Sequence, residues 1–168
     1  MSKFTGRNYT QKQADIKAQV QQLSRRLNQT LAQVPAALQH EFLVAAALDV
    51  AGRAMRRAPV DTGHLRESGW VEVNGAEVAR GQEDGSLATS GGAPPAREDR
   101  AVARVTFNAT TEDGRYSYAL IQHEETGFDH PRGGEAKYLE RSMAEVADDF
   151  QANFSAAVAR ALKRRGKP

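Results

Sequence analysis

Apolar residues recur at spacings of three and four over residues 11–34, where Ile16, Val20, Leu23, Leu27, Leu31 and Val34 mark one face of an amphipathic helix. Pro35 has no backbone donor and its ring crowds the preceding turn, so a break falls at 34–36. Beyond it the pattern changes. Phe42 to Ala51 is apolar except for Asp49, too apolar on all sides for a surface helix, and predicts a buried central helix over Ala36 to Arg57. Arg53, Arg56 and Arg57 crowd its last turns, where cations suit the carbonyl end of the dipole, and Ala58-Pro59 stops it.

The period then shortens to two. Asp61-Thr62-Gly63 opens a turn in which Asp61 or Thr62 can cap a brief helix, His64 to Ser68. Trp70-Val71-Glu72-Val73 alternates as a strand, and Asn74-Gly75 favours a type I′ turn into a second strand over Glu77 to Arg80. Residues 81–99 carry glycines, Pro94-Pro95 and few large apolar groups, which predicts one long loop. Arg100 to Asn108 resumes as a strand, with Val105 and Phe107 on one face and Val102 on the other. A short helix over Tyr116 to Glu124 and a Gly/Pro/Asp-rich bend over Thr126 to Gly134 come next.

Glu135 to Arg165 is the longest helix, with Leu139, Met143, Val146, Phe150, Phe154, Val158 and Leu162 stepping by three and four. That stripe spans about 40 Å at 1.5 Å per residue. It exceeds the core of so small a domain, so part of it is expected to meet another subunit or to project. The fold class is α+β. N-terminal helices precede a small antiparallel sheet with a long loop, and a short helix and a long C-terminal helix then pack on that sheet. The whole chain, 1–168, reads as one domain with an N-terminal helical extension at 1–34 and a basic tail at 163–168.

Composition narrows the function classes. The chain has no cysteine, which excludes disulfides, thiolate metal sites and cysteine nucleophiles. No run approaches the roughly 20 apolar residues of a membrane span, and the first ten residues lack a signal-peptide block, so a soluble protein made in the cytoplasm is expected. The formal net charge of +2 hides a segregation: residues 1–57 carry +6, residues 58–156 carry −9 and residues 157–168 carry +5. Opposite signs on one chain can guide self-association, and basic ends can meet nucleic acid.

Candidate chemistry is sparse. There is no phosphate-binding glycine loop, nucleophile elbow or HExxH. His123, Glu124 and His130 could supply nitrogen and oxygen ligands to a divalent metal if the bend brings them together, although their spacing matches no zinc signature. Lys163, Arg164, Arg165 and Lys167, with Arg53 to Arg57, could neutralise phosphates in a sequence-independent way, or simply form solvated helix ends. These residues keep open two alternative functions, a metal-dependent enzyme and a nucleic-acid-binding accessory protein.

Two segments carry a family likeness. Ala58-Pro59-Val60-Asp61-Thr62-Gly63-His64-Leu65-Arg66-Glu67-Ser68, after a basic helix, resembles the AP-VDTG-xLRxS signature of the tailed-bacteriophage head-tail connector or tail-completion proteins, also called minor capsid or neck proteins. Phe107-Asn108, then Tyr118-Ala119-Leu120-Ile121-Gln122-His123-Glu124, and then Lys137-Tyr138-Leu139-Glu140-Arg141-Ser142-Met143 are similar to that family's strand, its YAxxxHE element and its KxLExA-type final helix. Pro59, Val60, Asp61, Thr62, Gly63, Leu65, Arg66, Ser68, Tyr118, Ala119, His123, Glu124, Lys137, Leu139 and Glu140 are thereby marked as structural motif residues.

The resemblance implies a non-enzymatic virion protein without a cofactor, assembled in the host cytoplasm. It implies a ring of six or twelve copies at the neck or head-proximal tail end. Neighbours would be an adaptor or stopper and the tail tube, with viral DNA passing through the lumen. The loop 81–99 and the helix 11–34 both exceed the family pattern.

Overall fold

A computed structural model describes residues 21–26, 28–29, 32, 36–60, 63–90, 102–111 and 114–165, with backbone alone for 36–38, 151 and 153–165. Its centre is α1, Ala36–Arg57, which follows Pro35 directly and places Ala47, Val50, Ala51, Ala54 and Met55 in the interior. Small residues along this face let the sheet approach closely. Ala47 and Ala51 pack against Val71, Val73, Val78 and Ala79 of the first two strands.

The sheet has four antiparallel strands in the order β3-β2-β1-β4: β1 Gly69–Val73, β2 Ala76–Gly81, β3 Leu87–Thr89 and β4 Ala103–Phe107. β1 buries Gly69, Val71 and Val73 and turns Trp70 and Glu72 outward, the period of two that the sequence predicts. Asn74 and Gly75 both take positive φ, 50° and 87°, as a type I′ turn requires. A bulge between Val71 and Glu72 lets both Val78 and Ala79 turn inward on β2.

Three expectations are corrected. Residues 81–99 are not one loop: Gly81 belongs to β2, and Leu87–Thr89 forms β3 after a tight turn in which Gln82 N–H donates to Ser86 O at 3.0 Å. The brief helix α2, His64–Glu67, ends at Glu67 rather than Ser68 and has Gly63 at its cap position in the left-handed region, φ 82°. Asp61 and Thr62 themselves lie outside the described residues, as does most of the expected helix 11–34, of which 21–26 and 28–29 are helical. The short helix α3 is Tyr118–Glu124, with Ser117 as its cap accepting from Leu120 N–H at 3.1 Å. Arg100 is also outside the description, and β4 begins at Ala103.

The last helix, α4, runs from Tyr138 to Arg165. It lies along α1, where Val146, Met143 and Phe150 pack on Ala46 and Val50, and it reaches the sheet at Val105. Phe42 and Phe150 meet edge to face at 5.6 Å. The side chains of Phe154, Val158 and Leu162 lie outside the described part, and so does the expectation that their stripe meets a neighbour. Among the described residues, no helix is long and apolar enough to cross a membrane.

Candidate functional site

Both motif segments end at helix termini, and each makes a joint there. The first joint closes the carboxyl end of α1. A helix leaves its last carbonyls without intrahelical donors, and here separate elements supply them. Arg66 donates through Nε to Ala58 O and through its terminal nitrogen to Arg56 O, both at 3.2 Å, while Glu135 N–H donates to Arg57 O at 2.8 Å. Burial pushes the Arg66 guanidinium below its ordinary pKa, and only the nearby Asp84 carboxylate opposes this.

Arg66 reaches α1 because α2 is brief and its successor turns at once. Ser68 Oγ donates to Leu65 O at 2.8 Å, and β1 begins at Gly69. Two glycines at this joint are required by closeness to backbone: a Cβ on Gly81 would lie only 2.1 Å from the Arg66 carbonyl oxygen, and one on Gly134 only 2.4 Å from Pro59 Cα. Pro59 is buried beneath Gly134, and Val60 N–H donates to Gly133 O at 3.1 Å.

The second joint binds α3 to α4. Lys137, with a left-handed φ of 59°, stands just before α4 and donates its own N–H to His123 O at 2.7 Å. Its ammonium donates to both oxygens of Glu124, at 2.8 and 2.6 Å, and lies 3.3 Å from Glu140. His123 Nδ1 sits 2.5 Å from Glu124 Oε1 and therefore carries the proton, while its Nε2 accepts from Glu140 N–H at 3.4 Å. The imidazole thus caps the amino end of α4 from another element.

Glu124 is almost wholly buried, its side chain only 6% exposed. Burial pushes its carboxyl up, but the hydrogen bonds from His123 and Lys137 outweigh that and hold it below the usual carboxylate range. Burial likewise pulls the Lys137 ammonium down, and Glu124 overrides it to hold the pKa above the ordinary lysine value.

One apolar cluster joins the two segments. Ala58 and Leu65 from the first pack with Ala119 and Tyr138 from the second and with Ala54 of α1 and Ala109; Phe107, Tyr118 and Leu139 close around them. Tyr138 is its hub, 1% exposed, edge to face with both Phe107 and His123 at 5.0 Å. Its hydroxyl donates to Ala119 O at 3.1 Å, and burial raises the phenol pKa well above normal. The sequence offered Tyr138 as one aromatic among several; only the convergence of three elements makes it central.

The metal alternative changes membership. His123, Glu124 and Glu140 place a ligand atom each within 4.8 Å of one another, whereas His130 stays in the bend and is not part of the group. The Lys137 ammonium already contacts both carboxylates. A dication entering this space must displace that ammonium, so the donor set as folded does not fit a metal.

The basic end of α1 is also engaged. Arg53 pairs with Asp49 at 3.0 Å, Glu145 at 3.2 Å and Asp149 at 2.7 Å, and Arg57 pairs with Glu145 at 2.7 Å and Glu135 at 3.3 Å. Hydrogen bonds from Arg57 hold the Glu145 carboxyl below its usual range. The basic end of α1 and the acidic stretch of α4 from Glu145 to Asp149 therefore meet within one chain, and these two arginines are not offered to phosphates. The side chains of Lys163, Arg164, Arg165 and Lys167 lie outside the described part. No protein-family model, curated protein or solved structure matches the chain.

Proposed function

We propose that the chain is a structural virion protein of a tailed bacteriophage. In this reading it forms an oligomeric ring at the neck or head-proximal tail end and has no catalytic role. The observation that carries it is the shared cluster: the two segments bearing the neck-protein signatures lie some fifty residues apart in sequence, yet they lock together through Leu65, Ala119 and Tyr138. Signature residues that cap helices and fill a core define a rigid building block, not a reacting centre. His123, Glu124, Lys137 and Glu140 satisfy one another, which favours a joint over acid-base work. The ring would hold six or twelve copies between an adaptor or stopper and the tail tube, with DNA in its lumen.

Mass measurement of the purified protein, alone and mixed with neck and tail-tube proteins, tests this reading. A ring-sized species, or a stoichiometric complex with either partner, is expected. A strict monomer that binds neither overturns it.

A further inference from the structure

Among the described residues, the sheet ends in two unlike edges with no further strand beyond either. Asn74 N–H donates to Val102 O at 2.8 Å and Asn108 N–H to Ser68 O at 3.2 Å, which points the even-numbered backbone groups of β4 at β1. The N–H and C=O groups of Ala103, Val105 and Phe107 consequently face away from the sheet. At the opposite edge, Ser90 N–H donates to Val78 O at 3.0 Å, so Ala88 bonds to β2 and Leu87 and Thr89 face outward. Apart from Arg104, which is paired to Glu72, β4 carries no charge, no Pro and no bulge, the usual protections of an exposed edge. Beside it runs a groove of about 440 Å³, lined by Val102 and residues 103–106 of β4, by Leu43, Val50, Leu139 and Met143, and by Ser24 and Asn28 among others.

We propose that β4 of one copy pairs with β3 of the next, head to tail, so that the sheet continues from subunit to subunit. Three observations select this occupant. Strand direction alternates along β3-β2-β1-β4, so a neighbour placed in the same orientation brings β3 antiparallel to β4. Opposed residues then share a face: Leu87 joins Val105 and Phe107 above the groove, and Ala88 meets Arg104 or Thr106 on the outer face. The charge at the edges agrees as well, because Arg104, exposed on β4 and paired to Glu72 of its own sheet at 3.0 Å, would meet no like charge on β3, Leu87–Thr89, which carries no charged residue. Pairing β4 with a second β4 would instead crowd two copies of Arg104 onto one face, which is unfavourable. With only two outward residues on β3, the single contact is weak, and ring closure multiplies it. The edge pairing rests on the ring reading of the function.

The absence of cysteine gives a clean test. Ala88 and Arg104 or Thr106 would occupy a non-hydrogen-bonded pair, with Cα atoms about 4.5 Å apart and within disulfide reach. Concentrated A88C protein is mixed with R104C or with T106C and oxidised. A disulfide-linked dimer is expected in one of these mixtures and in no single variant alone. Ala103→Pro removes an outward N–H and no β1 bond, so adding it to the β4 variant should abolish the cross-link with an unchanged melting temperature. Cross-linking of R104C or T106C alone, or no cross-link in either mixture, overturns the proposal. If rings form with neck partners but no cross-link appears, the edge pairing falls and the neck reading stands. A cross-link in protein that binds no neck partner gives the reverse.

Discussion

The two helix-end joints solve one problem with different chemistry. At the end of α1, a half-buried guanidinium meets neutral carbonyl oxygens, and partial burial weakens its hold on the proton. At the start of α4, a half-buried ammonium meets a buried carboxylate, and each holds the other charged. The first joint depends on backbone closeness, with glycines where side chains would collide. The second depends on charge, so removing one member strands the other. Partner loss is therefore costly in one place, and added bulk is costly in the other.

Glu124→Ala sharpens this contrast most. It removes the acceptor shared by Lys137 and His123, leaving the ammonium only Glu140 at 3.3 Å, and is expected to cost about 3 kcal/mol, read by urea denaturation. A cost under about 1 kcal/mol would break the comparison by making the joint equivalent to a surface pair. The same groups set the pH dependence. Because the folded Glu124 pKa is depressed, its contribution is present above the ordinary carboxylate range and is lost as pH falls through the folded value. Lys137 is raised, so its contribution is present below the ordinary lysine range and is lost as pH rises through the folded value. Glu124→Gln should flatten the acid limb of a stability-pH profile; an unchanged limb would assign it to other carboxylates.

Gly81→Ala tests the first joint, because its Cβ would press on the Arg66 carbonyl. A loss of about 2 kcal/mol is expected, whereas Gly75→Ala, with open space around it but a positive φ, isolates the backbone term alone. Ser117→Ala should cost about 1 kcal/mol through its lost cap on α3. Smallest is Arg53→Ala on the exposed α1–α4 seam, below about 1 kcal/mol and shrinking further in high salt. Equal effects at low and high salt would show that Arg53 acts through packing.

Much of the frame was legible in the sequence. The apolar run Phe42 to Ala51, the Ala58-Pro59 stop and Asn74-Gly75 each impose a local constraint that tertiary packing did not override. β3 escaped because Leu87 is its single large apolar residue, and three residues among glycines and serines take strand form only when β2 offers an edge. Gly63 ahead of α2 takes a left-handed φ that its place in the turn requires, while the capping expected of Asp61 or Thr62 lies outside the described residues. The joint at Glu124 was half visible: its residues stood in the likeness, yet nothing in their order showed that Lys137 would fold back thirteen positions onto Glu124. His130 looked equivalent to His123 on composition alone, and only the path of the bend separated them.

The long seam between α1 and α4 also sets an order of events. β1 and β2 meet across a two-residue turn, whereas Arg53 and Asp149 are joined only after nearly a hundred residues have been made. Local pairing closes fast and distant pairing slowly. A chain emerging from the ribosome can form its hairpin early, but α1 keeps an uncovered apolar flank until the last helix is released. During that interval a nascent copy is sticky, and the flank is covered only when α4 packs along it.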